Sequence, residues 1–165
     1  MLQEYFLSAK DTERVAGWMK QLSDEGRYDV GPELRAAVRR DFEAGFCGDA
    51  ETAEEIARVW RENGYLIDTH TAVASRVLRE YRARSGDGTP AVVVSTASPY
   101  KFCDSVLRAL GVETDAPGTE LIGRLERATG TSAPAPLANL AGRAVRFDMC
   151  VAPEGQKRVV EEFLG

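Results

Sequence analysis

Ala91-Val92-Val93-Val94-Ser95, followed at once by Thr96-Ala97-Ser98-Pro99-Tyr100-Lys101-Phe102, decides how the chain is read. Ala91–Ser95 is a short apolar run rich in β-branched residues. Such runs are typical of strands buried on both faces of a parallel sheet. Ser98 is suited to cap a helix and Pro99 to fill its first position. Phe102, Val106, Leu107 and Leu110 then recur on one face until Gly111. A strand passing directly into a helix gathers Ser95, Thr96 and Ser98 between the carboxyl end of one and the amino end of the other. Ligands of α/β sheets bind outside the carboxyl ends of strands. Helix N-termini offer free N–H groups and partial positive charge to anions. Lys101 falls in the first helical turn, where the dipole disfavours a cation, so a bound anion is one reason for it to be there. The alternative is structural: Ser98 only caps, Thr96 bonds to the local backbone, and Lys101 reaches into water.

Upstream the pattern is helical. Asp11 can cap a helix running to about Glu25, with Val15, Trp18, Met19 and Leu22 on one face and Gly26 as the stop. Pro32 opens a second, with Leu34, Val38 and Phe42 inward and Gly45 at its end. Asp49 can cap a third, carrying Ile56, Val59 and Trp60 and closing at Gly64. Tyr65–Asp68 reads as short and extended. Thr69 or Thr71 then opens a fourth helix through Val73, Val77, Leu78 and Tyr81, ahead of the loop at Gly86-Asp87-Gly88. His70, the chain's single histidine, stands at this loop-to-helix junction. It is either a proton carrier or substrate donor, or a histidine packed at a helix start and satisfied by Asp68 or a threonine.

Downstream, a helix is expected over about Thr119–Thr129, ending at Gly130. Ala133-Pro134-Ala135-Pro136 is a stiff connector, and Pro136–Ala141 adds a turn or two of helix. Arg143–Val151 alternates, with Val145, Phe147, Met149 and Val151 on one side, as a half-buried strand does. Pro153 opens a last amphipathic helix with Val159, Val160, Phe163 and Leu164. The class is therefore α/β and predominantly helical, with one buried strand at about 91–95 and a strand–helix tail at about 143–164. The chain divides into a helical segment, 1–85, and a strand–helix part, 86–165. A buried parallel strand needs neighbours on both sides, and no other segment supplies them. That local-global conflict, with an apolar start at Leu2-Gln3-Glu4-Tyr5-Phe6-Leu7, predicts a fragment whose sheet partners lie upstream.

The 165 residues suffice for a domain with a real core. A net charge of −5, without a basic face or tail, points away from nucleic-acid partners. The longest apolar run, around Ala91–Val94, is too short to span a bilayer, and the N-terminus lacks a basic signal-peptide region. Cys47, Cys103 and Cys150 are widely spaced and odd in number. They suggest a reducing cytosol rather than a disulfide framework or a metal site. Cys103 or Cys47 acting with His70 as an acyl-transfer pair is a rival that needs sulfur and imidazole within hydrogen-bond reach.

His70-Thr71-Ala72-Val73-Ala74, followed about two dozen residues on by the strand ending in Ser95-Thr96-Ala97-Ser98-Pro99-Tyr100-Lys101-Phe102, resembles the C-terminal region of threonine synthases. Leu2–Leu22 before Gly26, Phe42-Glu43-Ala44-Gly45-Phe46 and Gly64-Tyr65-Leu66-Ile67-Asp68 fit the same pattern. The likeness covers about Leu2–Leu110, and the tail around Val151-Ala152-Pro153-Glu154 fits more loosely. The two motifs in this order are fairly specific; either alone is weak.

The resemblance implies a fold-type-II pyridoxal-phosphate enzyme that converts O-phosphohomoserine and water to threonine and phosphate. Thr96 is then the partner of the cofactor's ring nitrogen. A neutral hydroxyl there moderates the cofactor's electron sink, as β,γ-elimination and replacement require. His70, Thr71, Ser98 and Lys101 are carried over as candidates for lining the site or holding the substrate phosphate. The family's Schiff-base lysine and its glycine- and asparagine-rich phosphate loop have no counterpart in this chain. No catalytic residue is therefore expected here, and the isolated chain is expected to be inert. Its implied partners are the missing N-terminal part of the same protein and, through an exposed apolar face, a second copy. A stand-alone regulatory module descended from the enzyme is the alternative, and it would have covered that face.

Overall fold

The computed structural model describes residues 2–146 and 149–165, with backbone alone for Leu2 and Gln3. The chain forms two compact units, residues 1–47 and residues 48–165. In the first, α1 (Leu2–Leu7) packs on α2 (Thr12–Glu25) and α3 (Pro32–Asp41). Asp11 caps α2 by accepting from Arg14 N at 3.0 Å, and Gly26 ends it with a left-handed φ of 72°. Among the described residues, Trp18 and Leu34 are the buried apolar side chains of this unit. α3 stops at Asp41, short of Gly45, because Phe42 turns extended (φ −129°, ψ 137°), and Phe42 is exposed rather than inward.

The second unit is built on α4 (Asp49–Asn63), α5 (Thr69–Ser85), α6 (Cys103–Ala109) and α7 (Gly118–Thr129). α4 packs on α5 and α6, and α6 packs on α7. Ile56, Val106, Leu107 and Leu125 are its fully buried apolar centre, with Ile67, Ala72, Tyr100, Leu121 and Ile122 around them. α4 begins one residue earlier than Asp49 would cap it. Gly48 is the cap, and the Glu51 carboxylate accepts its N–H at 2.9 Å. Gly64, Gly86 and Gly130 close their helices in the left-handed conformation that costs glycine little.

One charged group lies inside this packing. Glu55 of α4 is fully buried. It accepts from Arg58 (2.6 and 3.1 Å), from Ser75 of α5 (2.7 Å) and from Arg79 of α5 (3.1 Å). A buried carboxylate is tolerable only when paired and hydrogen-bonded in this way. The Arg58 hydrogen bonds, with those of Ser75 and Arg79, outweigh burial and hold its carboxyl down at about 2.

The sequence-predicted strands are absent among the described residues. Ala91–Ser95 lies outside any helix but pairs with no neighbouring backbone, and Val92 and Val94 are 91% and 71% exposed. A strand is defined by its ladder partner, and this unit supplies none. The tail differs for the same reason. Residues 143–146 and 149–151 form no strand, and Val145 and Met149 are exposed. Phe147 and Asp148 of that expected strand lie outside the described residues. The terminal helix is present as α9 (Gln156–Leu164), entered through a 3₁₀ turn at Pro153–Gly155. Between α7 and this tail lie the short α8 (Ala135–Ala138) and a 3₁₀ turn at Leu140–Gly142.

Two stability effects follow. Leu107→Ala, at a fully buried position, should cost about 2–5 kcal/mol of unfolding free energy, read by urea denaturation. The depressed Glu55 carboxyl contributes stability that is complete above the unfolded value of 4.5 and is lost as pH falls toward about 2. The stability advantage of wild type over Glu55→Gln should therefore shrink as pH is lowered through that window. A constant difference would show that Glu55 does not act through its charge.

Candidate functional site

Asp68 ends the extended stretch after α4 and begins α5. Its carboxylate is fully buried and caps the helix, accepting from His70 N at 2.9 Å and Thr71 N at 3.4 Å. The Thr71 hydroxyl donates to the same carboxylate. Burial pushes the Asp68 carboxyl up, but the Thr71 hydroxyl, the backbone N–H groups and the His70 ring together hold it below the ordinary carboxylate range. Asp68 therefore enters the site ionised and acts as an acceptor.

The 91–96 segment reaches this carboxylate through one side chain. Ser95 Oγ lies 3.0 Å from Thr71 Oγ1 and 3.5 Å from Asp68 Oδ2. Thr71 Oγ1 is the donor of the serine–threonine pair as well as to Asp68, so its one proton is shared between two acceptors. The Ser95 hydroxyl donates instead toward Asp68 Oδ2 and, at 3.4 Å, Ala97 O. Among the described residues, every hydrogen bond from residues 91–96 to another element passes through the Ser95 hydroxyl. The next anchor along the chain is Tyr100. Its buried ring carries a hydroxyl 2.7 Å from Thr131 Oγ1, beyond the end of α7.

The five residues expected at a site fall into two groups. His70 and Thr71 share the Asp68 carboxylate: His70 Nδ1 is 3.3 Å from Asp68 Oδ1, while the exposed ring packs against Phe102 with centroids 5.1 Å apart. A Nδ1–H donated to Asp68 leaves Nε2 without a partner among the described residues. Thr96, next to Ser95, is exposed and makes no hydrogen bond among the described residues. Ser98 and Lys101 stand apart from that cluster. Ser98 accepts from Tyr100 N at 3.3 Å and caps a 3₁₀ turn, Pro99–Lys101. Lys101 is the last residue of that turn, so it precedes α6 and does not occupy its first turn. It lines an open groove of about 560 Å³ with Phe102, Thr119, Ile122 and Leu137, a groove that Thr96 and His70 do not line.

Cys103 is buried and donates to Tyr100 O at 3.2 Å in its own turn. Burial pushes its thiol up, the wrong direction for a nucleophile. The His70 ring is engaged by Asp68, Thr69 and Phe102 rather than by this sulfur. Asp68 is the residue that sequence reasoning undervalued. Its signal was present: an aspartate directly before a helix is among the best N-caps.

The second unit is thus helical, with an extended, unpaired segment that carries hydroxyls at its end. The family model described as threonine synthase, C-terminal, matches residues 71–162, and the chain belongs to that family. The chain is 32% identical to a threonine synthase of Schizosaccharomyces pombe over 108 residues, 65% of this chain and 21% of that protein. It is 32% identical to a threonine synthase of Pseudomonas aeruginosa over 126 residues, 74% of this chain and 26% of that protein. The chain thus spans about a fifth to a quarter of these curated relatives. The crystal structure of pyridoxal-phosphate-bound threonine synthase from Brucella melitensis superposes with a TM-score of 0.70 at 30% identity, covering 98% of this chain and 30% of that one. Threonine synthase from yeast shares the fold, with a TM-score of 0.69 at 23% identity.

Removing the shared carboxylate should be costly. Asp68→Ala loses a helix cap and strands the buried Thr71 hydroxyl, so about 2–4 kcal/mol of stability should be lost. Asp11→Ala, a half-exposed cap with one acceptor bond, should lose about 1 kcal/mol. Equal losses in chemical denaturation would show that the Asp68 network adds nothing beyond the cap.

Proposed function

We propose that this chain is the C-terminal part of a cytoplasmic threonine synthase, working together with an upstream part of the same protein. The observation that carries the proposal is the near-complete superposition of this chain on 30% of a pyridoxal-phosphate-bound threonine synthase. The complete protein would convert O-phosphohomoserine and water to threonine and phosphate. On this proposal residues 86–165 contribute to the large domain of the enzyme, and Ala91–Ser95 enters its sheet as a strand between upstream neighbours. Burial there would cover Val92 and Val94, which are otherwise the wrong residues to leave in water. The exposed Val160, Phe163 and Leu164 of α9 offer a second apolar face. Left uncovered, that face favours self-association of the isolated chain.

The donor set fits one end of pyridoxal phosphate. When bound, that cofactor supplies the electron sink for elimination and replacement at the substrate carbons. Thr96 offers an exposed hydroxyl, without a partner among the described residues, suited to a ring nitrogen. Being neutral, it leaves that nitrogen largely unprotonated, where a carboxylate would not. His70, Thr71, Ser98 and Lys101 remain the candidates for lining the site and holding the substrate phosphate; Lys101 supplies the positive charge among them. The cofactor's phosphate and aldehyde ends would be held by the upstream part, so this chain alone is inert.

Two measurements test the proposal. Mixing the isolated chain with pyridoxal phosphate should give no stoichiometric protein-bound cofactor absorbance; a saturable one-to-one band would contradict inertness. In the protein with its upstream part, Thr96→Val should lower kcat by about 10–100-fold while cofactor remains bound. Unchanged turnover would reassign the ring-nitrogen partner.

A further inference from the structure

The buried Asp68 carboxylate has a consequence beyond capping α5. Residues 91–96 are held by hydrogen bonds to another element only at Ser95, among the described residues. Ser95 in turn is held by Thr71 and Asp68, and Thr71 is oriented by Asp68. Thr96 is the next residue along the backbone. We propose that Asp68 is a positioning residue: acting through Thr71 and Ser95, it fixes the end of the 91–96 segment so that the Thr96 hydroxyl meets the cofactor ring nitrogen. The proposal rests on the assignment of Thr96 made above.

The geometry gives each member one task. Asp68 is fully buried, so its carboxylate does not move with solvent. One oxygen is occupied by the N–H groups of His70 and Thr71, which fixes the carboxylate to the first turn of α5. The other receives the Thr71 hydroxyl. The same hydroxyl lies 3.0 Å from Ser95 Oγ, toward which it also donates, and Ser95 Oγ donates in turn toward Asp68 Oδ2 at 3.5 Å. Both hydroxyls therefore converge on Asp68 Oδ2, Thr71 directly and Ser95 both directly and through its contact with Thr71. An amide in place of the carboxylate could still cap the helix through its oxygen. Its NH₂, however, would face the Thr71 and Ser95 hydroxyls as a donor, removing the acceptor on which both converge and loosening Ser95. Side chains that hold a functional group by such supports control its placement to within a fraction of an ångström.

Three variants separate this role from a structural one. They are Thr96→Val, Ser95→Ala and Asp68→Asn, made in the protein with its upstream part and loaded with pyridoxal phosphate. The readouts are the visible absorbance maximum of the bound cofactor and the separate values of kcat and KM. Asp68→Asn and Ser95→Ala should each lower kcat by about tenfold with KM little changed. Both should move the absorbance maximum in the direction that Thr96→Val moves it. The double variant should be no worse than either single one, because both cut the same connection. Ser95→Thr, which keeps the hydroxyl, should restore both readouts. In the chain without cofactor, the NMR order parameter of the Thr96 methyl group should fall in Asp68→Asn and in Ser95→Ala. If Thr96→Val shifts the absorbance and the other two do not, the positioning role is overturned and the Thr96 assignment stands. If Thr96→Val leaves the absorbance unchanged, the Thr96 assignment fails and the positioning role falls with it. Should Asp68→Asn fail to fold, Ser95→Ala and the methyl order parameter decide alone.

Discussion

One buried carboxylate ties together the start of α5 and the end of the 91–96 segment. Asp68 terminates the extended stretch behind α4, starts α5, orients Thr71 and His70, and holds the 91–96 segment through Ser95. Placing a charge at zero exposure is costly unless its lone pairs are filled, and here they are filled by backbone, hydroxyl and ring donors. The same unit contains a second buried carboxylate, Glu55, and the contrast is informative. Glu55 is neutralised by two arginines and joins α4 to α5. Asp68 has no arginine or lysine partner among the described residues and is satisfied mainly by neutral donors. Glu55 serves the packing of two helices. Asp68 instead touches a segment whose backbone pairs with no other among the described residues.

The segment itself is an apolar run without a ladder partner among the described residues. Val92 and Val94 stand in water beside a hydroxyl cluster. Among the described residues, its backbone pairs with no other segment, and only the Ser95 side chain joins it to another element by hydrogen bonds. The relatives are roughly four to five times longer than the region they share with this chain. The 47-residue N-terminal unit has its own small apolar centre around Trp18 and Leu34, and the line between the two units falls at Gly48, just before α4.

Local features were the legible ones. Asp11 with Gly26, and the closing glycines 64, 86 and 130, bound their helices within a residue or two because caps and left-handed termini are written into a few adjacent positions. The expected strands at 91–95 and 143–151 were a different kind of inference. β-branched runs and alternation state what a segment suits, while a strand also needs a partner elsewhere in the chain. α3 failed at its end because Phe42 adopts an extended conformation, which no apolar spacing announces. Of the candidate site, His70, Thr71 and the hydroxyls at 95 and 96 were readable as a motif. The placement of Lys101 was not, because the helix after Ser98 begins as a 3₁₀ turn and becomes α-helical only at Cys103. Nor was the role of Asp68, which depends on a contact 27 residues away along the chain.

The central claim is the proposal that Ala91–Ser95 become a strand once neighbours from the upstream part of the same protein are present. Amide hydrogen exchange at Val92, Val93 and Val94 tests it most directly, measured on the chain alone and on the chain together with that upstream part. The account predicts rapid exchange in the isolated chain and protection by at least about a hundredfold once the upstream part is present. Equal, rapid exchange in both states would contradict it, since an amide in the middle of a sheet cannot remain open to solvent.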